Sequence, residues 1–289
     1  MLRLCIKPTT FEINAYQENQ NPYIDIHADN NERKNITQHK KLENTFSNIV
    51  IYTLQNITEG IGGIQGIPDI VFVANGGICL PRIPRTIILP YMKYEQRKRE
   101  LKYLVEIYKD LGLKMIQFPG SPSAPFEGQA ELKWFHKGSL GICGYGHRST
   151  KKSFTIAKKL FDKIYKSHGL EPPELVVLKL ESPLYYHLDV AMLEFDDSKC
   201  IVHKRAFSEK SIETLKKCLG SDNVHVIDVD DTFCLNAVID GKNLVTHTIK
   251  EAGLKNMLEG ITGRKIKQVD TSEFEKSGGS VRCMTLDIF

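Results

Sequence analysis

Cys283 stands near the end of the 289-residue sequence, where its thiol could act as a nucleophile. It follows the pair Gly278-Gly279, and glycine permits backbone conformations that let a chain bend sharply beside a bound molecule. From residue 281 to residue 288 the alternation of residue types predicts a short strand that ends at a pocket. Because buried cysteines usually serve packing alone, Cys283 is assigned as a nucleophile only together with the residues described next.

A histidine and several charged residues interrupt the apolar segments of the chain. Residues 185–189 open an apolar stretch that predicts a strand, and the i, i+2 spacing of His187 and Asp189 would point both side chains to the same side of its pleat. Glu127 lies next to a glycine after a turn rich in proline and serine, and Arg148 precedes a predicted helix. These side chains would therefore stand where predicted elements begin or end.

Asp69 and Asn75 lie near the two ends of another apolar segment. Residues 68–77 read as a buried strand that opens with an acid and closes on an amide and two glycines. Polar residues at the ends of an apolar strand can face a ligand. The structural alternative, in which Asp69 and Asn75 only cap turns, remains open at this point.

Together these residue types suit one kind of chemistry. A nucleophile, a base and an acid that orients the base are the minimum set for covalent catalysis. Two further carboxylates fit the recognition of a planar cation such as a guanidinium, because each can accept two parallel hydrogen bonds from it. The sequence thus predicts covalent catalysis on a cationic substrate.

The elements that must position these residues follow a repeating pattern of one helix and several strands. Five such units recur at intervals of roughly 40 to 60 residues, which predicts an α/β protein with a cyclic repeat. The units share no evident sequence, so the repeat is structural only. Helices are predicted over residues 37–47, 93–111, 153–167, 208–219 and 250–258, and strands over residues 4–6, 49–54, 114–118, 174–180, 225–229 and 266–269.

Two polar or glycine-rich segments fall outside this pattern. Residues 14–35 predict a long surface loop that serves as a lid or binding loop or is disordered. Residues 60–66 contain several glycines but lack the strand-to-helix context and the Lys-Ser/Thr ending of a phosphate loop. We therefore predict no nucleotide site there.

Composition limits the other functional classes. With 39 basic and 35 acidic residues the net charge is +4, so no basic stripe indicates nucleic acid, and no apolar run reaches the length of about 20 residues that spans a bilayer. Seven cysteines without paired spacing or a secretory leader indicate a reducing compartment, and a cytoplasmic location is expected. No linker divides the chain, which predicts one domain over residues 1–289. Histidines without metal-ligand spacing, which argue against a metal site, are His136, His203, His225 and His247.

The order of the motifs resembles that of a known superfamily. The chain contains, in order, Pro-Asp-x-Val-Phe-x-x-Asn, Phe-Glu-Gly, Gly-Tyr-Gly-x-Arg, Tyr-His-x-Asp and Gly-Gly-x-Val-Arg-Cys. This order is similar to that of the guanidino-modifying amidinotransferase superfamily, and nearest to dimethylarginine dimethylaminohydrolases and arginine dihydrolases. The resemblance covers most of the chain and implies their fold, the five-bladed α/β propeller called a pentein. It implies Cys283 as nucleophile, His187 as general acid and base, Glu127 as its orienting acid, and Asp69 and Asp189 as guanidinium ligands.

The same resemblance extends to residues that would hold the rest of the substrate. Arg148 and Arg97 look like the residues that bind the α-carboxylate of an arginine-like substrate. Asn75 stands where the dimethylaminohydrolases have acid and the dihydrolases have asparagine, and Asn21 matches a dihydrolase Asn-Pro-aromatic element. One departure is the segment 127–131, Glu-Gly-Gln-Ala-Glu, where these enzymes commonly have Glu-Gly-Gly-Asp.

The expected function is therefore hydrolysis of the guanidinium of arginine or a substituted arginine. The reaction would pass through a covalent thiouronium and give ornithine or citrulline plus ammonia or methylamine, with no metal or cofactor. Two alternatives remain: an amidinotransferase that passes the amidino group to an amine, and a non-catalytic binding protein on the same propeller. A small arginine-like molecule is the expected partner, without nucleic acid or membrane, and the oligomeric state is not predicted.

Overall fold

The computed structural model describes residues 1–13, 21–25, 27–54 and 66–289, which form small three-stranded sheets. The five sheets of these residues have the strand orders β15-β1-β2, β3-β4-β5, β6-β7-β8, β9-β10-β11 and β12-β13-β14 once the strands are numbered along the chain. In each sheet the middle strand pairs antiparallel with one neighbour and parallel with the other. The strands are β1 (Leu2–Ile6), β2 (Ile49–Tyr52), β3 (Ile78–Cys79), β4 (Thr86–Leu89), β5 (Lys114–Gln117), β6 (Leu132–Phe135), β7 (Leu140–Tyr145), β8 (Glu174–Lys179), β9 (Met192–Asp196), β10 (Lys199–His203), β11 (Val224–Ile227), β12 (Val238–Asp240), β13 (Asn243–Thr246), β14 (Lys265–Gln268) and β15 (Leu286–Ile288).

Helices connect the strands, which confirms the α/β class. The first helix begins before its predicted start at residue 37, because the Asn31 side chain caps it by accepting a hydrogen bond from Lys34 N at 3.0 Å. The predicted helix 93–111 is two helices, and the one predicted over residues 250–258 starts later, after Gly253. The α-helices of the described residues are α1 (Glu32–Glu43), α2 (Glu95–Lys98), α3 (Leu101–Asp110), α4 (Lys151–Ser167), α5 (Leu188–Ala191), α6 (Glu209–Leu219), α7 (Leu254–Thr262) and α8 (Ser272–Glu275).

Helix α4 illustrates how the longer helices attach to the sheets. Thr150 and Ser153 form a reciprocal capping box that satisfies backbone N–H groups at its first turn. Phe154 and Phe161 lie on its buried face and share one apolar cluster with strands from two neighbouring sheets, β3-β4-β5 and β6-β7-β8. Burial of such aromatic side chains stabilises the contact between consecutive units.

The prediction of a buried strand over residues 68–77 is wrong. Two short 3₁₀ helices, Pro68–Val71 and Val73–Gly76, occupy the segment, although its burial is as predicted. Its carbonyl groups find partners without a neighbouring strand, since Arg97 Nη2 donates to the oxygens of Asp69 (3.0 Å) and Phe72 (3.2 Å). An apolar run therefore indicated burial correctly but not the backbone conformation.

The predictions of strands through Asp189 and through Cys283 are also wrong at these two residues. His187 has an extended backbone and caps α5, whereas Asp189 lies inside that helix, so the two do not share a pleat. Cys283 lies in a turn, in which Met284 N donates to Ser280 O at 3.2 Å. Of the predicted strand 281–288, only the part that forms β15 is a strand. Short helical turns bring these side chains inward where strands were expected.

A row of alternating charges crosses the interior between four of the sheets. Asp287 lies in its middle, with Oδ1 3.4 Å from Arg3 Nε and Oδ2 2.8 Å from Arg282 Nη2. Because each buried charge in the row has an opposite partner, the desolvation cost is offset within the row. In order, the row contains Asp240, Arg3, Asp287, Arg282, Glu194 and Lys133.

Removal of Asp287 is expected to destabilise the fold strongly. Asp287→Ala leaves the buried cations Arg3 and Arg282 short of one partner, which typically costs about 3–5 kcal/mol in the free energy of unfolding. Urea denaturation measures the change. The control is Asp228→Ala, because Asp228 is exposed and pairs with Arg205 at 2.7 Å, where solvent screens the ion pair and its contribution to stability is small. Equal losses in the two variants would contradict the expectation.

Candidate active site

A small pocket brings together most of the residues singled out in the sequence. Its cavity volume is about 10 Å³, close to the space for one water molecule. Asp189 and Glu127 lie directly behind its wall, fully buried. The residues that line it are Asn21, Asp69, Phe72, Asn75, Arg97, Arg148, Tyr186, His187, Ser277, Gly279 and Cys283.

The glycine pair before Cys283 allows the chain to pass close to this pocket. Gly278 has φ = +80°, a left-handed conformation that side chains disfavour. Gly279 lies so close to the ring of Phe72 that an added Cβ would clash. Ala74 N donates to Cys283 O at 3.0 Å, which ties the turn to the segment on the other side of the pocket. The sharp bend expected from the glycines is present.

The sulfur of Cys283 lies between an amide and a carboxylate. Asn236 Nδ2 donates to Sγ at 3.1 Å, and Sγ is 3.4 Å from Asp189 Oδ2. Burial, and secondly the charge of Asp189, raise the pKa of Cys283 well above its ordinary value. In the free protein the thiol is therefore protonated and donates to Asp189.

Asp189 has one oxygen left for a ligand. Its Oδ1 has no hydrogen-bond partner among the residues that the structure describes, although the side chain is fully buried. Burial raises the pKa of Asp189, against the lowering influence of His187 and Lys133. A buried carboxylate with an unpaired oxygen is costly, and a cation that binds there would relieve the cost.

His187 and Glu127 form a hydrogen-bonded pair next to the pocket. His187 Nε2 is 2.8 Å from Glu127 Oε2. Burial alone would raise the pKa of Glu127, but the charge of Arg148 and the hydrogen bond from His187 prevail and hold it well below its usual range. Burial lowers the pKa of His187 even though Glu127 opposes this effect. A neutral imidazole thus donates to an ionised carboxylate, and its other nitrogen can accept a proton.

Asn75 is connected to the same carboxylate. Its Nδ2 donates to Glu127 Oε2 at 3.1 Å and lies 3.3 Å from His187 Nε2. The amide therefore stands beside the imidazole at the pocket wall, instead of capping a turn alone.

The two arginines of the pocket have different surroundings. The guanidinium of Arg148 lies 4.8 Å from the ring centres of both Tyr94 and Tyr186, and Nη1 is 3.4 Å from Glu127. Arg97 forms a forked pair with Glu100 at 2.8 and 2.9 Å, in addition to its bonds to backbone carbonyls. Much of the hydrogen-bonding capacity of Arg97 is thus used within the protein.

The described part of the predicted 14–35 loop reaches the pocket. Asn21 Nδ2 donates to Ser277 O at 2.9 Å, and Tyr23 OH donates to Leu184 O at 2.8 Å. Residues 14–20 and 26 lie outside the described residues, as do residues 60–65 of the glycine-rich segment. The Asn-Pro-aromatic element is thus held against the pocket.

The departure at residues 127–131 does not displace Glu127. Gly128 has φ = +63°, and an added Cβ would clash with the backbone of Gly77. Gln129 faces away from the pocket, where it bonds Thr285 O at 3.0 Å and Asp287 N at 2.9 Å. Glu131 Oε2 accepts a hydrogen bond from Glu127 N at 2.9 Å and so holds the backbone of the first acid.

Sequence reasoning missed one residue that contacts the sulfur, Asn236. It lies in the stretch 233–238 without a motif around it, and an amide between apolar residues is a weak signal in the sequence. Residues missed at the pocket wall are Phe72, Tyr186 and Ser277.

Metal ligation and membrane crossing find no support in the described residues. Within them, no group of three or more His, Cys, Asp or Glu side chains is arranged to hold a metal ion. No α-helix in the same part of the chain has both the length and the apolar character to traverse a bilayer.

A family model and two relatives match most of this chain. The family model described as N,N dimethylarginine dimethylhydrolase, eukaryotic, matches residues 2–289. The N(G),N(G)-dimethylarginine dimethylaminohydrolase of Mycobacterium tuberculosis is 30% identical over 288 residues, which cover 99% of this chain and 85% of that protein. The bifunctional arginine dihydrolase/ornithine cyclodeaminase ArgZ of Synechocystis is 27% identical over 276 residues. These cover 93% of this chain but only 35% of ArgZ.

The fold is shared with solved structures of the same group. The product-bound N-terminal domain of ArgZ, an arginine dihydrolase, superimposes with a TM-score of 0.83 at 22% identity, covering 99% of this chain and 97% of that domain. The family and fold together define the class, the guanidino-group hydrolases. Within this class the chain belongs to the N,N dimethylarginine dimethylhydrolase family, because the family model spans nearly its whole length.

Proposed function

We propose that this protein hydrolyses the guanidinium of arginine or a substituted arginine through a covalent intermediate on Cys283. The observation that carries the proposal is the unpaired Oδ1 of Asp189, whose Oδ2 lies 3.4 Å from Cys283 Sγ. When a thiolate adds to an anionic or neutral electrophile, negative charge develops on the electrophile, and a carboxylate beside the nucleophile would repel that charge. A cationic electrophile is instead attracted by the carboxylate. The electrophile that fits is therefore a guanidinium.

Binding of the cation would activate the thiol. Asp189 and Asp69 hold the guanidinium nitrogens and place the central carbon near Sγ. The positive charge offsets the repulsion from Asp189, so the pKa of Cys283 falls and the thiolate becomes accessible. Substrate binding and thiol ionisation are thus coupled, and the thiol of the free protein stays mostly protonated.

His187 would then move the protons. His187 takes the proton that Cys283 loses, and the thiolate adds to the guanidinium carbon. The protonated imidazole then gives that proton to the departing ammonia or methylamine, which leaves a thiouronium. His187 next takes a proton from water, which attacks the thiouronium carbon and releases the thiolate. Glu127 holds the imidazole in position and stabilises its protonated form, as its hydrogen bond to Nε2 at 2.8 Å supports.

The remaining pocket residues would bind the amino-acid end of the substrate. Arg148 is the better ligand for an α-carboxylate, because its charge is held at the wall by two aromatic rings and one buried acid. Arg97 would mainly fix the Asp69 segment through its bonds to Glu100 and to backbone carbonyls. We also propose that the five sheets are the blades of a five-bladed propeller and that residues 1–289 form a single domain.

The amides of the pocket favour a second round of hydrolysis. A neutral ureido group binds poorly to carboxylates alone, whereas Asn75 beside His187, with Asn21 near Ser277, can donate to its oxygen. Citrulline would then be retained and attacked again. Arginine and two waters would give ornithine, two ammonia and carbon dioxide.

The test counts ammonia released for each arginine consumed. A ratio of about two with ornithine as product is expected, and Asn75→Asp should return the ratio to about one with citrulline accumulating, because a carboxylate disfavours the neutral intermediate. Asn48→Asp is the matched control, since Asn48 is exposed and its side chain donates to Met1 O at 3.0 Å. A ratio near one in the unmodified protein would contradict the second round.

Product analysis also distinguishes between guanidino substrates and between a hydrolase and an amidinotransferase. Methylated arginines and agmatine, followed by mass spectrometry, show which side chain on the guanidine is accepted. An amidinotransferase would release ornithine with less ammonia and transfer the amidino group to an added amine such as glycine. Appearance of an amidinated acceptor would overturn the hydrolase.

A further inference from the structure

We propose that Asn236 belongs to the catalytic machinery, as the donor that stabilises the Cys283 thiolate and fixes its backbone. This inference rests on the proposed function of Cys283. Asn236 is fully buried and stands behind the sulfur, outside the residues that line the pocket. Its polar atoms contact Cys283 and the residues around it, so it is placed to act on the sulfur itself.

All hydrogen-bonding groups of the Asn236 side chain point at the nucleophile and its neighbours. Its Oδ1 accepts from Cys283 N at 3.2 Å and from Arg282 N at 3.0 Å. Its Nδ2 donates to Cys283 Sγ at 3.1 Å and to Asp189 O at 3.2 Å. One side chain thus fixes the turn that carries the thiol, the sulfur, and the backbone of the acid that faces it.

The two ends of the amide have separable effects. The oxygen holds backbone N–H groups, which fixes the position of the turn. The nitrogen donates to sulfur, and such a bond strengthens when the sulfur becomes an anion, so it lowers the pKa of the thiol. Asp189 acts in the opposite direction, since its charge raises the pKa of Cys283. Asn236 therefore partly offsets the repulsion that the substrate-binding acid imposes on the nucleophile.

Asn236→Asp separates the two effects, because it keeps the accepting oxygen but replaces the donating nitrogen. Alkylation of Cys283 by iodoacetamide, followed on its peptide by mass spectrometry between about pH 6 and pH 10, reports thiol ionisation without any substrate. We expect the rate at a given pH to fall about 10- to 100-fold and the profile to move to higher pH, as for loss of a hydrogen bond to a charged group. In turnover, kcat should fall by a similar factor with KM nearly unchanged.

The matched control is Thr246→Val, which loosens the same segment without touching the sulfur. Thr246 Oγ1 donates to Cys234 O at 3.2 Å, two residues before Asn236. Its alkylation profile should match that of the unmodified protein. Should Asn236→Asp fail to fold, Asn236→Ser provides the same alkylation readout. The serine side chain is shorter, so its hydroxyl cannot reach Sγ and the two backbone N–H groups of Arg282 and Cys283 at once.

An unchanged alkylation profile in Asn236→Asp, or in Asn236→Ser where that variant replaces it, would overturn the proposal, as would an equal shift in Thr246→Val. Neither outcome depends on whether arginine is a substrate. Failure of the proposed function would appear separately, as absence of guanidino hydrolysis in the unmodified protein.

Discussion

Cys283→Ser is expected to abolish hydrolysis while the protein stays folded. Serine fits the same space and can keep the bonds to Asn236 and Asp189, but its hydroxyl ionises far less than a thiol does. Loss of a nucleophile typically lowers kcat by about 10⁴-fold or more. Steady-state kinetics measure the loss, and circular dichroism with thermal unfolding shows that the fold remains.

Cys218→Ser is the control for Cys283→Ser, because Cys218 is a half-buried free cysteine near the end of α6. It should keep full activity. Binding of arginine to Cys283→Ser should persist in calorimetry, because Asp69 and Asp189 remain. Turnover at the level of the unmodified protein in Cys283→Ser would remove the covalent mechanism.

His187→Ala and Asp189→Asn are expected to fail in different ways. His187→Ala removes the proton donor and acceptor, so kcat should fall about 10²- to 10⁴-fold with a modest change in substrate affinity. Asp189→Asn removes a charge from the cation site, so affinity should fall about 10- to 100-fold. Kinetics combined with direct binding measurements separate the two losses.

The same pair of variants differs in a second, substrate-free measurement. Asp189→Asn removes the negative charge 3.4 Å from Sγ, so alkylation of Cys283 at a fixed pH should become faster. His187→Ala should leave that rate nearly unchanged. Equal losses of affinity in both variants, or slower alkylation in Asp189→Asn, would show that the roles are assigned wrongly.

Apolar stretches predicted several strands correctly but did not reveal the turns between them. The predicted strands 4–6, 49–54, 114–118 and 174–180 all overlap observed strands. The segment 68–77 is apolar for another reason, since it lies in the interior as 3₁₀ turns. Both kinds of segment are rich in apolar residues, so an apolar run alone could not separate them.

The candidate site residues could be predicted where they belong to short sequence motifs. The order of Asp69, Glu127, His187 and Cys283 along the chain was visible without coordinates, and the pocket brings these residues together. The spacing argument for His187 and Asp189 placed both near one site, but through a strand that does not exist. Asn236 could not be found in this way, because its contact with the sulfur arises only after folding.

Strand β15 couples the position of Cys283 to a contact between distant parts of the sequence. It pairs with β1 in the register Leu2↔Ile288, so one sheet joins residues that are far apart along the chain. Contacts of large sequence separation are slow to form, because a long loop must close first. Cys283 lies just before β15, so the placement of its thiol at the pocket depends on a slow step of folding.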